Sequence, residues 1–92
     1  MNKIDPNYKE NFQAAVSLSY YTVQVGAFSK IENARRLANK LKALGYEAYL
    51  DELISGKGTV FKVKVGRFNN RGQAVSLDRE LSHKGYPTKI LP

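Results

Sequence analysis

The second half of this chain repeats the first half at a fixed offset of 40 residues. Identical residues recur at nine of the 24 positions from 23 to 46, where unrelated sequences of ordinary composition would share about one or two. The repeated residues are Val23, Val25, Gly26, Phe28, Ala34, Leu37, Leu41, Gly45 and Tyr46. Two copies are too few for a solenoid, so the repeat predicts two halves that complete one core within a single small domain.

The composition fits one small folded domain with an anionic partner. Hydrophobic residues make up 42% and charged residues 25% of the 92 residues, which are ordinary globular values. The chain has no cysteine, which excludes a disulfide framework and a thiolate metal site. Its net charge of +7 favours an anionic partner, which could be nucleic acid, anionic lipid or an acidic polysaccharide.

The sequence carries no visible membrane or export signal. No apolar run approaches the roughly 18 residues of a membrane span. No basic segment leads into an apolar one at the N-terminus, as a signal peptide requires. If the parent protein is exported, we expect this chain to be a fragment that lacks its signal or membrane anchor.

The N-terminal segment lies outside the repeat. Asp5 and Pro6 are typical of a helix start, with an N-cap residue followed by proline at the first helical position. Apolar residues then recur at helical spacing, and these are Tyr8, Phe12, Ala15 and Val16. We interpret residues 1–19 as a linker or peripheral helix and residues 20–92 as the folded domain.

The first repeat predicts a strand followed by a helix. Residues 21–25 alternate between apolar and polar, which is the period of a half-buried strand, and Gly26 is expected to end it. Ser29 and Glu32 match a capping box, in which each side chain binds a backbone N–H at the start of a helix. We expect Gly45 to close that helix in the left-handed conformation.

The second repeat adds the same two elements, with one further strand before them and one after. The order strand, helix, strand, strand, helix, strand is the ferredoxin-like βαββαβ pattern of an α+β domain. It predicts a four-stranded antiparallel sheet with both helices on one face and an internal pseudo-twofold repeat. The remaining expected elements are strands at 46–51, 59–66 and 88–91, a loop at 55–58, and a helix from Asn69 or Asn70 to Gly85.

The sheet face without helices is expected to be open to a ligand. The alternation turns Tyr21 and Phe61 inward with the valines. In the usual strand order the first and third strands are central neighbours. The residues expected at the centre of the open face are Thr22, Gln24, Val60, Lys62 and Lys64.

The residues give little support to an enzyme. The one histidine, His83, has no predicted partners for catalysis or metal binding, so we expect it to be a solvated surface residue. Acylphosphatases share the topology and use an arginine in the loop after the first strand, but the residues here are Gly26–Ser29, without arginine. A single glycine in each turn is also too little for a phosphate cradle. We therefore predict no catalytic residues, no metal and no cofactor.

A single-stranded nucleic-acid binder is the alternative hypothesis. RNA-recognition domains use this fold and stack bases on aromatic residues of the two central strands. Here Tyr21 and Phe61 are expected to point inward, and the third strand lacks the glycine-aromatic motif of those domains. Such binding would lose its main source of affinity.

Several segments together resemble one protein family. Tyr21–Phe28, Gly45–Tyr49 and Phe61–Phe68, with Ala34 and Leu37 of the first helix, closely resemble the SPOR (sporulation-related repeat) domain. The resemblance implies a non-catalytic peptidoglycan-binding module that prefers glycan strands without stem peptides. It also implies a monomeric domain of a larger protein at the periplasmic or extracytoplasmic face of the bacterial cell envelope. Such modules direct division, sporulation or wall-remodelling proteins to sites where amidases work.

The resemblance further implies which residues bind glycan. On the first strand, the family positions correspond to Gln24, which is retained, and to Ala27, where serine is common. On the third strand, Lys62 replaces the usual arginine, and Val60 replaces an aromatic residue of some members. Lysine keeps the charge but lacks the planar fork that holds a carboxylate with two hydrogen bonds.

Three more residues complete the candidate glycan-binding set. Lys64 is expected to act as a charge partner and Thr22 to lie beside Gln24. Tyr49 either stacks on a sugar from the edge strand or packs against its neighbours. A strand without stem peptides carries a free lactyl carboxylate on each muramic acid, so basic side chains on this face would meet matching charge.

Overall fold

The structure is a computed structural model that describes residues 20–92. The predicted N-terminal helix and the linker role of residues 1–19 lie outside the described residues. Residues 20–92 form six elements in the order β1 (Tyr21–Phe28), α1 (Ile31–Ala43), β2 (Ala48–Ser55), β3 (Gly58–Phe68), α2 (Arg71–His83) and β4 (Lys89–Leu91).

The four strands form one antiparallel sheet in the order β2-β3-β1-β4, with both helices on the same face. The two halves of the repeat therefore contribute one central strand each, β1 and β3. This arrangement confirms the predicted α+β fold and its ferredoxin-like βαββαβ order. β2 is longer than expected because its ladder with β3 continues to the tight turn at Gly56 and Lys57.

The core lies between the helices and the central strands. Val23 and Val65 pair with each other in the ladder, and both are buried. The helices face them with three small residues among their buried positions, which let the backbones approach the sheet closely. The buried apolar residues are Val23, Val25, Ala34, Ala38, Leu41, Ala48, Val63, Val65, Ala74 and Leu81.

The two helices begin differently. Asn70 caps α2, because its side-chain oxygen accepts a hydrogen bond of 3.0 Å from the backbone N–H of Gln73. The capping box predicted at Ser29 is wrong: α1 begins one residue later, with Lys30 as an N-cap that makes no side-chain hydrogen bond. The reason is that Lys30 is still extended, and its carbonyl accepts the first helical bonds from the residues that follow.

Gly26 and Gly66 do not end their strands, contrary to the sequence-based expectation. Each lies inside a strand at a shift of register between β1 and β3, which is the mark of a β-bulge. A bulge reverses the alternation of side chains beyond it. As a result Ala27 and Arg67 are exposed, whereas the phenylalanine that follows each of them packs against the core.

The phenylalanine rings explain why the bulges require glycine. A Cβ atom on Gly26 would lie 2.9 Å from Cε2 of Phe28, and one on Gly66 would lie 2.5 Å from Cζ of Phe68. Gly66 also has a φ angle of +77°, which L side chains rarely adopt. The repeated Gly-X-Phe pattern is therefore a structural device in which an aromatic ring covers a glycine inside a strand.

Candidate functional site

The open face is the side of the sheet turned away from the helices. Tyr49, Lys64, Gln24 and Lys89 lie next to one another on it, one from each strand, in the order β2-β3-β1-β4. We call these four residues the cross-sheet row. Strand order and register thus bring Gln24 and Lys64 together as the sequence predicted.

A second row lies beside the first, towards the β2–β3 turn. It runs from Asp51 through Lys62 to Ala27. Beyond it Val60 pairs with Leu53, whose side chain is 51% exposed. Six of the candidate residues therefore share one surface, and these are Gln24, Ala27, Tyr49, Val60, Lys62 and Lys64.

Thr22 lies on this side of the sheet but is not accessible. Only 3% of the surface of Thr22 is exposed. Its hydroxyl donates a hydrogen bond of 3.1 Å to the carbonyl of Val65 and accepts one of 3.0 Å from the hydroxyl of Tyr49. The only proton of the hydroxyl is already donated to Val65, so Thr22 positions Tyr49 and does not donate to a ligand.

Tyr49 packs against its neighbours. Its hydroxyl is fixed on Thr22, and the guanidinium carbon of Arg67 lies 3.9 Å from the centre of its ring. Burial raises the pKa of Tyr49 above its ordinary value. Arg67 also lies 5.8 Å from the ring of Tyr20, so an aromatic and cationic cluster forms at the end of β3.

The two lysines of β3 are not equivalent. Nζ of Lys64 lies 2.5 Å from Oδ2 of Asp51, and this side chain of Lys64 is only 15% exposed. Hydrogen bonding to Lys64 holds the pKa of Asp51 below its usual range, and the charge of Lys62 acts in the same direction. Among residues 20–92, Lys62 forms no ion pair, so it offers a charge that Lys64 does not.

Sequence reasoning missed three charged residues of this face. Lys89 could have been found from alternation, because Ile90 packs inward and its neighbour must point the other way. Asp51 required the register of an edge strand, which the local pattern does not fix. Arg67 required the bulge at Gly66, because regular alternation would have turned it towards the core.

A shallow pocket of about 250 Å³ borders Gln24 where β4 begins. Residues of β1 line one side of this pocket, and residues at and just before the start of β4 line the other. The lining residues are Gln24, Val25, Gly26, Ala27, Pro87, Thr88 and Lys89. Gln24 can therefore be approached both from the open face and from this edge.

Within the part of the chain that the structure describes, no three His, Asp or Glu residues gather as metal ligands would. His83 is exposed at the last position of α2. None of the helices among residues 20–92 has the length and apolar character needed to cross a membrane.

These features define the class of the protein. It is a small α+β domain in which both helices cover one face of an antiparallel sheet and the other face, which is polar, is uncovered. The family model described as "SPOR domain" matches residues 17–91, and this chain belongs to the SPOR family.

Two known proteins are similar to the chain. It is 34% identical over 64 residues to the endolytic peptidoglycan transglycosylase RlpA of Yersinia pestis, a match that covers 70% of this chain and 17% of that protein. The solution structure of the peptidoglycan binding domain of the B. subtilis cell wall lytic enzyme CwlC superimposes with a TM-score of 0.64 at 28% identity. That superposition covers 78% of this chain and 86% of the other.

Proposed function

We propose that this domain binds the glycan strands of peptidoglycan without catalysis and prefers strands that have lost their stem peptides. The observation that carries the proposal is the row of Lys64, Gln24 and Lys89 across the open face, with Lys62 beside it. Membership of the SPOR family and the peptidoglycan-binding description of the B. subtilis domain support the choice of ligand.

The charges of the open face match the chemistry of a strand without stem peptides. Each muramic acid of such a strand exposes a lactyl carboxylate, so the strand is a polyanion with regular spacing. Lys62 and Lys89 have no ion-pair partner among residues 20–92 and can meet these carboxylates. An intact strand carries its peptides at the same positions, which would remove the charge and crowd the sheet.

Gln24 is suited to the neutral part of the sugar. Its amide can donate to and accept from sugar hydroxyls and N-acetyl groups. It lies between Lys64 and Lys89, whose Cα atoms are about 10 Å apart because two strand spacings separate them. The methyl side chain of Ala27 makes no hydrogen bond and leaves space for a sugar beside Gln24. Val60 offers only an apolar contact.

We further propose that the domain anchors a larger protein of the bacterial cell envelope at the periplasmic or extracytoplasmic face. The relative from Yersinia pestis supports this arrangement, because the match covers 17% of its length. The parent protein would be directed to places where the wall is divided or remodelled. The domain closes its own core, so we propose that it acts as a monomer.

The competing hypothesis is single-stranded nucleic acid. Tyr21 and Phe61 pack against the core, so the central strands offer no exposed ring for base stacking. The aromatic residues that do lie on the open side, Tyr49 and Tyr20, are engaged by Arg67. These contacts favour the glycan over the nucleic acid.

Co-sedimentation with purified sacculi, before and after amidase treatment, tests the proposal. We expect binding to increase after the treatment and to fall roughly five- to tenfold in Gln24→Ala and Lys62→Ala. The matched control is Lys42→Ala, because Lys42 is an exposed lysine of α1 on the other side of the sheet. Binding that ignores the amidase, or that is absent while single-stranded RNA still binds, would reject the preference for denuded glycan.

A further inference from the structure

Arg67 lies at the end of the open face and forms no ion pair with any of residues 20–92. We infer that Arg67, held on the ring of Tyr49, forms a second carboxylate-binding subsite, separate from Lys62, so that the domain selects an extended polyanion. This inference rests on the proposed function of the open face.

The bulge at Gly66 places Arg67 on the ligand side. The two steps of β1 from Tyr21 to Val23 pair with three steps of β3, from Phe68 to Val65, so β3 carries one extra residue there. The arginine that the family resemblance would put at position 62 is lysine, and an arginine is present instead five positions later on the same strand.

A chain of contacts fixes the guanidinium group in place. Its carbon lies 3.9 Å from the ring centre of Tyr49, whose hydroxyl is bound to the buried Thr22. Thr22 in turn donates to the backbone carbonyl of Val65, a core residue. A side chain held in this way loses less conformational entropy when it binds a ligand.

Within the described part of the chain, the N–H donors of Arg67 are available to an anion. Contact with an aromatic face uses the π-system of the guanidinium and none of its five N–H groups. Among residues 20–92 no carboxylate pairs with Arg67, in contrast to Lys64, which is bound to Asp51. The planar fork of an arginine matches a carboxylate with two parallel hydrogen bonds, which lysine cannot provide.

The distance between the two subsites sets the length of the ligand. Lys62 and Arg67 are five residues apart on β3, or about 15 Å along the strand. The lysine between them is paired with Asp51, so Lys62 and Arg67 are the two basic residues of β3 that form no ion pair among residues 20–92. One isolated carboxylate can occupy only one of them, whereas a strand with repeated carboxylates can occupy both and gains the avidity of two linked contacts.

The test compares Arg67→Lys with wild-type protein, using calorimetry on denuded glycan strands and on the same strands with their carboxylates converted to neutral methylamides. We expect Arg67→Lys to bind the carboxylate strands about tenfold more weakly and the methylamide strands as wild type does. Arg79→Lys, an exposed arginine of α2, is the matched control. Thermal melts of each variant report whether the fold is kept.

The outcomes separate this inference from the proposed function. Normal binding by Arg67→Lys, together with weakened binding by Gln24→Ala, overturns the subsite and leaves the glycan function intact. An equal loss on both ligands overturns it as well, because a structural effect would ignore the carboxylates. If wild-type protein binds neither ligand, the proposed function fails, and the subsite fails with it.

Discussion

The hydroxyl of Tyr46, just after α1, donates a hydrogen bond to the carboxylate of Glu80 on α2. The repeat provides the reciprocal contact, in which Nζ of Lys40 on α1 lies 5.9 Å from the ring centre of Tyr86 after α2. Each tyrosine is the counterpart of the other at an offset of 40 residues, and so are Lys40 and Glu80. The repeat in the sequence thus becomes a pair of crossed contacts that tie the ends of the two helices together.

The Tyr46 contact predicts a loss of stability at high pH. Its hydrogen bond to Glu80 raises the pKa of Tyr46 from 10.0 to about 12. The folded state favours the neutral phenol. The contribution of this hydrogen bond to the free energy of unfolding is therefore complete below pH 10 and is lost as the pH rises towards 12. Urea unfolding of wild type and Tyr46→Phe across this range measures it. A wild-type decline no steeper than that of the variant would contradict the assignment.

Gly66→Ala should destabilise the fold more than an ordinary glycine replacement. The new methyl group would clash with the ring of Phe68. The alanine would also have to adopt a φ angle of +77°. We expect a loss of about 2 kcal/mol or more in the free energy of unfolding. Gly56→Ala is the matched control, since nothing lies within 4 Å of a Cβ atom there. Equal urea midpoints for the two variants would show that the bulge does not need glycine.

Asp51→Asn should strengthen binding to an anionic glycan a few-fold. The substitution releases Lys64 and removes a carboxylate that interacts with both lysines of β3. Glu52→Gln is the matched control, because it makes the same change of charge on the neighbouring residue, which points to the other side of β2. Weaker binding by Asp51→Asn would mean that the carboxylate positions Lys64 for the ligand.

The same ion pair predicts a small effect of acid on stability. The pKa of Asp51 is lowered in the folded state. The ionised carboxylate therefore stabilises the fold above the unfolded-state pKa of 3.8, and this stabilisation is lost as the pH falls below that value. Asp51 is about half exposed, which limits the contribution to at most about 1 kcal/mol. The free energy of unfolding should therefore fall only slightly more between pH 6 and pH 3 for wild type than for Asp51→Asn.

The sequence was sufficient for the architecture because short-range patterns determine it. The alternation of residues 21–25 fixed which side of β1 faces the core, and the repeat transferred the same assignment to β3. The glycines at 45 and 85 correctly marked the helix ends, where both have a φ angle of +96°. The candidate residues Gln24, Lys62 and Lys64 followed from this alternation and share one surface.

The details of the site depend on contacts between strands, which no local pattern contains. The ion pair of Asp51 with Lys64 requires the register of β2 against β3. The burial of Thr22 results from a tyrosine two strands away in the sheet. The outward position of Arg67 depends on the bulge at Gly66, whereas the local Gly-X-Phe pattern alone indicates a turn.

Thr22→Val tests whether the hidden hydroxyl holds this end of the open face. The replacement keeps the size of the side chain but leaves the hydroxyl of Tyr49 and the carbonyl of Val65 without their partner. We expect a loss of about 1–3 kcal/mol in the free energy of unfolding.

A double-mutant cycle with Tyr49→Phe separates the hydrogen bond from packing. If the two hydroxyls act together, the double variant should be less destabilised than the sum of the single variants, because no phenol is then left unpaired. The ring would stay in place under Arg67, so binding by Tyr49→Phe should change less than binding by Tyr49→Ala. Strict additivity in the cycle would show that Tyr49 and Thr22 stabilise the face independently.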